Sequence, residues 1–186
     1  MSSGEPRLII LDRDGVINRD SDEFIKTPEE WQPIPGSLEA IASLCRTGYD
    51  VVVATNQSGV GRGLFDTQML DRIHRKMSDS IRAAGGELQG IFVCPHRPDE
   101  NCDCRKPKPG LMRQIENSFS CHLTGQPAIG DSTRDLEAAI AVGAQPMLVR
   151  TGNGITSEKS LNPADNIAVF DDLASAAREL IKNTAI

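Results

Sequence analysis

Two carboxylates stand two residues apart near the start of the chain, at Asp12 and Asp14, directly after the apolar run of residues 8–11. In an extended chain every second side chain points to the same side, so both carboxylates can face one site. There Asp12 could attack a phosphoryl group as a covalent nucleophile, while Asp14 could protonate the leaving oxygen and then activate water. An acidic turn, in which Gly15 supplies backbone freedom, explains the same residues equally well.

Two further polar segments follow apolar runs. Residues 55–63 offer hydroxyl, amide and backbone N–H donors that could cradle a phosphate, and residues 105–110 carry three cations in a loop stiffened by two prolines. Each segment also has a simpler interpretation, as a glycine-rich turn and as a solvated basic turn. Neither segment indicates a function by itself.

A third acidic position, Asp131, follows the short apolar run of residues 127–130. Asp131 could complete a magnesium site with Asp12, because Mg²⁺ prefers hard oxygen ligands and commonly touches a substrate phosphate. Asp135 lies four residues later, at the start of a helical pattern, where an acid interacts favourably with the helix dipole. We therefore expect Asp135 to support the site at most.

Three cysteines and a histidine crowd into residues 94–104: Cys94, His96, Cys102 and Cys104. Three sulfur ligands and one imidazole make a complete tetrahedral set for structural Zn²⁺, with no position left for substrate. The alternative is a surface loop of reduced cysteines with a solvent-facing histidine. Clustering of this kind is unlike the spread of disulfide-forming cysteines, so the spacing favours zinc.

Apolar runs alternate with helical patterns along the chain, which predicts an α/β protein. The predicted strands are residues 7–12, 50–55, 90–93, 127–130, 145–150 and 167–170, and the predicted helices are residues 36–46, 66–84, 107–119, 133–142 and 173–181. Residues 151–165, rich in Gly, Ser and Asn, are predicted to form a loop. We expect a three-layer, Rossmann-like, mainly parallel sheet, with its chemistry at the carboxyl ends of the strands.

Length and charge limit the remaining possibilities. A chain of 186 residues fits one domain, which we take to be residues 1–186 including the zinc loop 94–104. A net charge of −6 disfavours nucleic acid as a partner. The apolar stretches are too short for a membrane span, and residues 1–7 lack a hydrophobic targeting core, so we expect a cytoplasmic protein without a membrane partner. We also expect a monomer.

The four strand-end motifs, in this order, resemble those of the haloacid dehalogenase-like phosphatase superfamily over nearly the whole chain. The resemblance implies that Asp12 is the phosphoryl-accepting nucleophile and Asp14 the general acid and base. It further implies that Thr55 and Lys106 stabilise the transferred phosphoryl group. Magnesium would be bound by Asp12, by Asp131 and by Asp14, the last through its backbone carbonyl. The intervals between motifs are too short for a large cap domain, so we expect a capless member.

Together with the zinc loop, these motifs resemble the heptose bisphosphate phosphatase family and the related histidinol-phosphate phosphatases. The segments 55–63 and 107–110 match the first family better, which implies hydrolysis of the 7-phosphate of D-glycero-D-manno-heptose 1,7-bisphosphate. The zinc loop is shared, so a histidinol-phosphate phosphatase is the nearest alternative. A zinc-braced binding module without catalysis is an alternative from a different class. No motif reports on the anomer of the sugar.

The same resemblance implies a set of substrate contacts. They come from Asp20 with the adjoining residues 21–23, from Asn56, Gln57 and Ser58, and from Arg105. Two features depart from the family pattern: Asp22 and Glu23 make the early loop more acidic, and Ser132 stands where many relatives carry Lys.

Overall fold

Six parallel strands form one sheet in the order β3-β2-β1-β4-β5-β6. The strands are β1 (Leu8–Leu11), β2 (Asp50–Asn56), β3 (Leu88–Cys94), β4 (Pro127–Gly130), β5 (Gln145–Val149) and β6 (Ala168–Phe170). The computed structural model describes residues 6–184. All four residues of β1 and of β4 are buried, as expected for central strands of a parallel sheet covered on both faces.

Helices cover both faces of this sheet. They are α1 (Ser37–Arg46), α2 (Ser58–Gly61), α3 (Thr67–Ala83), α4 (Gly110–Phe119), α5 (Thr133–Ile140), α6 (Gly154–Glu158) and α7 (Leu173–Thr184). One hydrophobic cluster joins β1 and β2 to α1, α3 and α7, through residues such as Ile41, Ile73 and Ala176. A second cluster joins the other face to α4 and α5 through residues such as Leu111 and Ala138. The predicted three-layer α/β fold is confirmed.

Local chemistry determines where the site-bearing helices begin. The carboxylate of Asp66 accepts a hydrogen bond from the Met69 N–H at 2.8 Å and so caps α3. The helix predicted to start at residue 107 begins at Gly110, because a residue that precedes proline, such as Lys108, avoids the helical conformation. The predicted loop 151–165 contains α6 and a short 3₁₀ helix, Pro163–Asp165.

The centre of the sheet brings the polar strand ends together. Leu11 of β1 pairs with Val53 of β2 on one side and with Ile129 of β4 on the other. Strands β2 and β3 lie on one side of β1, and strands β4, β5 and β6 lie on the other. The strand order therefore reverses between β1 and β4, which makes this the topological switch point at which α/β proteins place their ligands. Just past β1, the Asp12 N–H donates to the Ile129 carbonyl at 2.9 Å.

Successive strands are connected by loops and by at most two helices each, so no cap domain interrupts residues 6–184. The longest connection before a helix, residues 12–36, folds on itself through two isolated bridges, Asp14 to Asn18 and Asn18 to Pro33. Trp31 in this loop is buried in the core. Across residues 6–184, none of the helices combines the length and the apolar character needed to cross a membrane. The expectation of no targeting segment falls mainly on residues 1–5, which lie outside the described residues.

Candidate active site

A cavity of about 210 Å³ opens at the carboxyl ends of β1, β2 and β4. Most of the residues predicted for catalysis, magnesium or substrate binding line it: Asp12, Asp14, Asp20, Ser21, Thr55, Asn56, Gln57, Ser58, Arg105, Lys106 and Asp131. Phe24, Ile25, Ser132, Arg134, Asp135 and Asn153 complete much of the remaining wall. Asp22 and Glu23 lie outside this lining. The four separate motifs of the sequence therefore meet in one place.

Lys106 lies at the floor of the cavity between two carboxylates. Its Nζ atom is 2.9 Å from Asp12 Oδ1 and 2.6 Å from Asp135 Oδ1, and it donates to the Ala54 carbonyl at 2.6 Å. The side chain is only 3% exposed. Burial disfavours its charge, but the carboxylates of Asp12 and Asp135 outweigh this and raise the pKa of Lys106. Lys106 is therefore a fixed cation beside the Asp12 carboxylate.

Asn56 holds the backbone of Lys106 in place. Its Nδ2 donates to the Lys106 carbonyl at 3.1 Å, and its Oδ1 accepts from the Lys106 N–H at 3.1 Å. Both polar ends of the Asn56 side-chain amide are thus hydrogen-bonded to the backbone of Lys106, a residue 50 positions away in the chain. This gives Asn56 a positioning role that the sequence did not indicate, and its direct contact with substrate stays a prediction.

Three carboxylates, those of Asp12, Asp131 and Asp135, place oxygens within 4.8 Å of one another. Burial, together with the nearby carboxylates of Asp135 and Asp131, raises the pKa of Asp12 to about 8 even though Lys106 opposes the shift. Burial and neighbouring acids also raise the pKa of Asp131 to about 6. Clustered carboxylate oxygens, two of them on acids whose pKa is raised by burial and by their neighbours, suit a hard divalent cation, so this site fits Mg²⁺.

Asp131 is held tightly by the backbone around it. A Cβ atom on Gly15 or on Gly152 would collide with its carboxylate, and both glycines have positive φ angles of 80° and 57°. The Asn153 N–H donates to Asp131 Oδ2 at 2.7 Å. The Asn153 side chain also donates to Asp20 Oδ2 at 2.9 Å, which joins the early loop to the Asp131 site.

We expected Asp135 to support the site at most, but its carboxylate contacts Lys106 directly. Besides the Lys106 pair, its Oδ2 accepts hydrogen bonds from the Ser132 N–H at 3.0 Å and from the Ser132 hydroxyl at 2.7 Å. Burial favours the neutral acid, but Lys106 and these hydrogen bonds hold the pKa of Asp135 below its ordinary value. Ser132, which departs from the family pattern, thus caps α5 and fixes Asp135.

Asp14 lies at the edge of the cavity in a network of hydrogen-bond donors. The guanidinium group of fully buried Arg13 makes two bonds to its carboxylate, at 3.0 and 2.9 Å. Asn18 and Gln57 each donate to it at 2.8 Å. Burial favours the neutral acid, but Arg13 and the two amides lower the pKa of Asp14, so its carboxylate is ionised.

Behind this network, His74 of α3 contacts Arg13 through its Nε2 atom, 3.3 Å from Arg13 Nη1. Burial and the charge of Arg13 lower the pKa of His74 to about 3, so its ring is neutral. A neutral ring can accept a hydrogen bond from Arg13. Gln57 links the same network to β2, since its Nε2 also donates to Thr55 Oγ1 at 2.8 Å.

The predicted zinc ligands meet in one cluster. Their ligand atoms lie 3.6 Å apart for Cys94 and Cys102, 3.5 Å for Cys102 and Cys104, 3.7 Å for Cys94 and His96, and 3.2 Å for His96 and Cys104. A tetrahedron with Zn–S bonds of about 2.3 Å has edges of about 3.8 Å, whereas a disulfide would bring two sulfurs to about 2 Å. Burial raises the pKa of Cys94 to about 12, and a cation held by this cluster would favour the thiolate. The cluster fits Zn²⁺.

The zinc cluster is tied to the cavity. The Gln57 N–H donates to the Cys94 carbonyl at 2.7 Å, and Arg105 Nη1 donates to the His96 carbonyl at 3.2 Å. Because Arg105 and Lys106 directly follow Cys104, the conformation of this loop determines where both cations stand. The sequence analysis missed Asn153 and Arg134, which lie in segments without a recognisable motif.

Comparisons with known proteins agree with this geometry. A family model described as "Polynucleotide kinase 3 phosphatase" matches residues 7–134, and one described as "HAD-hydrolase-like" matches residues 103–176. D-glycero-β-D-manno-heptose-1,7-bisphosphate 7-phosphatase of Pseudomonas putida is 54% identical over 94% of this chain and 99% of its own. The enzyme of the same name from Bordetella bronchiseptica is 51% identical over 95% of this chain and 98% of its own.

Similarity extends to three dimensions. The crystal structure of the D,D-heptose 1,7-bisphosphate phosphatase of B. bronchiseptica, complexed with magnesium and phosphate, superposes with a TM-score of 0.92. It is 50% identical and covers 95% of this chain and 99% of that chain. The match therefore extends over nearly the whole chain. The chain belongs to the heptose-1,7-bisphosphate 7-phosphatase family of the haloacid dehalogenase-like superfamily, and it is a phosphoric monoester hydrolase.

Proposed function

We propose that this enzyme removes the 7-phosphate from D-glycero-β-D-manno-heptose 1,7-bisphosphate. The observation that carries the proposal is full-length similarity to enzymes of that name, combined with a cavity in which Asp12, Lys106 and Asp131 meet. The name of these relatives also specifies the β-anomer, which the sequence motifs do not. We take residues 1–186 as one phosphatase domain. A monomeric state and a cytoplasmic location stay predictions.

In the first half-reaction, a carboxylate oxygen of Asp12 attacks the phosphorus of the 7-phosphate. The bond between phosphorus and the C7 oxygen breaks, and the phosphoryl group is left on Asp12 as an acyl phosphate. Asp14 gives a proton to the departing C7 oxygen. The incoming phosphate favours the protonated form of Asp14 that this step needs, because like charges raise the pKa of a carboxyl group.

In the second half-reaction, Asp14 takes a proton from water, and the water oxygen attacks the same phosphorus. The bond to Asp12 breaks, which releases inorganic phosphate and restores the Asp12 carboxylate, while Asp14 is again in the protonated form that the next cycle needs. Lys106 and the Thr55 segment face the equatorial oxygens during both transfers. Asp12, Asp131 and the Asp14 backbone carbonyl would hold Mg²⁺, which favours ionised Asp12 and offsets the repulsion between the acids and the phosphate.

We assign the distal part of the substrate to Asp20, Ser58 and Arg105, which line the cavity. A guanidinium group offers directional, bidentate hydrogen bonds to an anion or to hydroxyl pairs. The Gln57 side chain forms hydrogen bonds with Asp14, Thr55 and Arg13. We therefore propose that Gln57 orients the catalytic groups as well as facing substrate.

The substrate assignment is tested by steady-state kinetics on both anomers of heptose 1,7-bisphosphate and on histidinol phosphate. We expect the β-bisphosphate to have the highest kcat/KM. In Arg105→Ala, the preference for the bisphosphate over simpler esters should fall about tenfold, because a charged hydrogen bond to the distal group is lost. Arg72→Ala is the control, since Arg72 is exposed on α3 and does not line the cavity.

A higher kcat/KM for histidinol phosphate would overturn the substrate assignment. Failure to hydrolyse any sugar or amino-alcohol phosphate in the presence of Mg²⁺ would instead favour a non-catalytic, zinc-braced binding module. An unchanged preference in Arg105→Ala would remove Arg105 from the distal contacts.

We also propose that the cysteine and histidine cluster binds structural zinc. Purified protein should contain about one zinc per chain, as a closed four-ligand site requires. Cys102→Ser should lose the metal, and kcat/KM should fall about tenfold because Arg105 and Lys106 shift with the loop.

Cys45→Ser is the matched control, since Cys45 lies outside the cluster and bonds the Glu87 carbonyl, a bond that serine can keep. Zinc analysis and hydrogen exchange of residues 94–106 measure the outcome. Active, folded protein without zinc would show the assignment to be wrong.

A further inference from the structure

An arginine that no motif singled out, Arg134, stands at the mouth of the cavity beside Arg105. Both residues line the catalytic cavity, and both also line a neighbouring groove formed by the zinc loop and the Pro107 segment. Arg134 is exposed and Arg105 is half-buried, whereas Lys106, which lines the same two cavities, is buried. The two guanidinium groups therefore lie nearer the opening than Lys106 does.

A third arginine approaches the same rim from α2. Arg62 lies over the ring of Phe24, 5.8 Å from its centroid, and Phe24 is part of the cavity wall. Burial and the charges of Arg134 and Arg62 together lower the pKa of Arg105, which places both groups within electrostatic reach of it. Three guanidinium groups thus converge on one rim.

Neither Arg134 nor Arg62 forms an ion pair with a carboxylate among residues 6–184. Other exposed arginines do so, for example Arg82 with Asp79 and Arg150 with Glu158. The chain carries 26 acidic residues against 20 basic ones, so partners are abundant elsewhere. Clustered, unpaired cations beside a phosphate-processing cavity indicate an anion that comes from outside the protein.

The inner cation cannot serve a second anion. Lys106 is buried and already contacts Asp12 and Asp135, within reach of the phosphoryl group that is transferred. A ligand with a second phosphate would find free guanidinium groups only toward the mouth. Arginine is well suited there, because its planar fork matches phosphate oxygens in bidentate fashion.

We propose that Arg134, with Arg62 beside it, extends Arg105 into a second anion subsite at the mouth of the cavity, which binds the phosphate that is not transferred. This inference rests on the proposed bisphosphatase function and adds residues that determine its specificity. Its consequence is a preference for bisphosphates over monophosphates that depends on Arg134 and weakens with rising salt.

The experiment measures affinity rather than turnover, in an Asp12→Asn parent with Mg²⁺ present. Calorimetry compares heptose 1,7-bisphosphate with heptose 7-phosphate, and fructose 1,6-bisphosphate with fructose 6-phosphate. For each sugar, the ratio of the two dissociation constants reports the second subsite. Adding Arg134→Ala should reduce that ratio about tenfold, and Arg134→Lys should reduce it less, because lysine keeps the charge without the fork. Adding Arg178→Ala, an exposed arginine on α7 away from the cavity, should leave the ratio unchanged.

Equal ratios in the parent and in the Arg134→Ala variant would overturn the subsite, and so would a parent that binds monophosphates as tightly as bisphosphates in both pairs. A preference confined to the fructose pair, and lost in Arg134→Ala, would uphold the subsite while contradicting the heptose assignment. The two proposals can therefore fail separately.

Discussion

Replacing Asp12 by Asn is expected to lower kcat by at least about 10⁴-fold while the protein stays folded, because the attacking carboxylate is lost and nothing replaces it. The variant should keep its structure, since Asn has nearly the same shape and its amide oxygen can still accept the hydrogen bond from Lys106. Removing one of three clustered carboxylates should also relieve their mutual repulsion. Phosphate release with Mg²⁺ measures the activity, and thermal unfolding measures the stability.

The matched control is Asp71→Asn, an exposed acid on α3 that does not line the cavity. It should keep wild-type turnover. Rapid quenching of the wild-type reaction, followed by mass spectrometry, should find the phosphoryl group on the peptide that contains Asp12. A folded Asp12→Asn variant with near-wild-type turnover would reject Asp12 as the nucleophile.

Replacing Lys106 by Met is expected to lower kcat about 10³-fold on every substrate, because it removes a fixed cation from each phosphoryl-transfer transition state. Met keeps most of the apolar stem, so the change is mainly one of charge. The variant should also lose stability by about 3–5 kcal/mol, since Asp12 and Asp135 are left buried without their common partner. Steady-state kinetics on three or more phosphate esters and denaturant unfolding without added metal test both expectations.

Lys108→Met is the control, because Lys108 lies two residues away, is more exposed and bonds Asn101 instead of the site. The double variant Asp12→Asn with Lys106→Met separates the two effects. It should recover part of the lost stability, since one uncompensated carboxylate is gone, and it should stay inactive. A loss of activity confined to one substrate would assign Lys106 to specificity rather than to phosphoryl transfer.

The sequence alone was sufficient for the order of the six strands and the five longer helices and for the position of the motifs, whereas the short helices α2 and α6 were not predicted. Strands of a parallel sheet are buried on both faces, so they appear as short apolar runs, and the polar residues directly after them must lie at one edge of the sheet. That reasoning located Asp12, Thr55 and Asp131 at their strand ends. Spacing was also enough to select Cys94, His96, Cys102 and Cys104, because ligands so close in sequence can meet without any distant element.

Only the tertiary structure decided which groups touch. Lys106 meets Asp12 across 94 positions of the chain, and Asn153 meets Asp20 across 133 positions. Such contacts depend on the order of strands in the sheet and on how irregular loops fold over its edge, and neither leaves a periodic pattern in the sequence. The commitment of Asn56 to the Lys106 backbone, the contact of Arg13 with His74 and the position of Arg134 at the rim depend on the same long-range geometry. The sequence could name the reactive groups, because their types and local spacing carry chemistry, but the packing of distant segments determines which of them are free to meet a substrate.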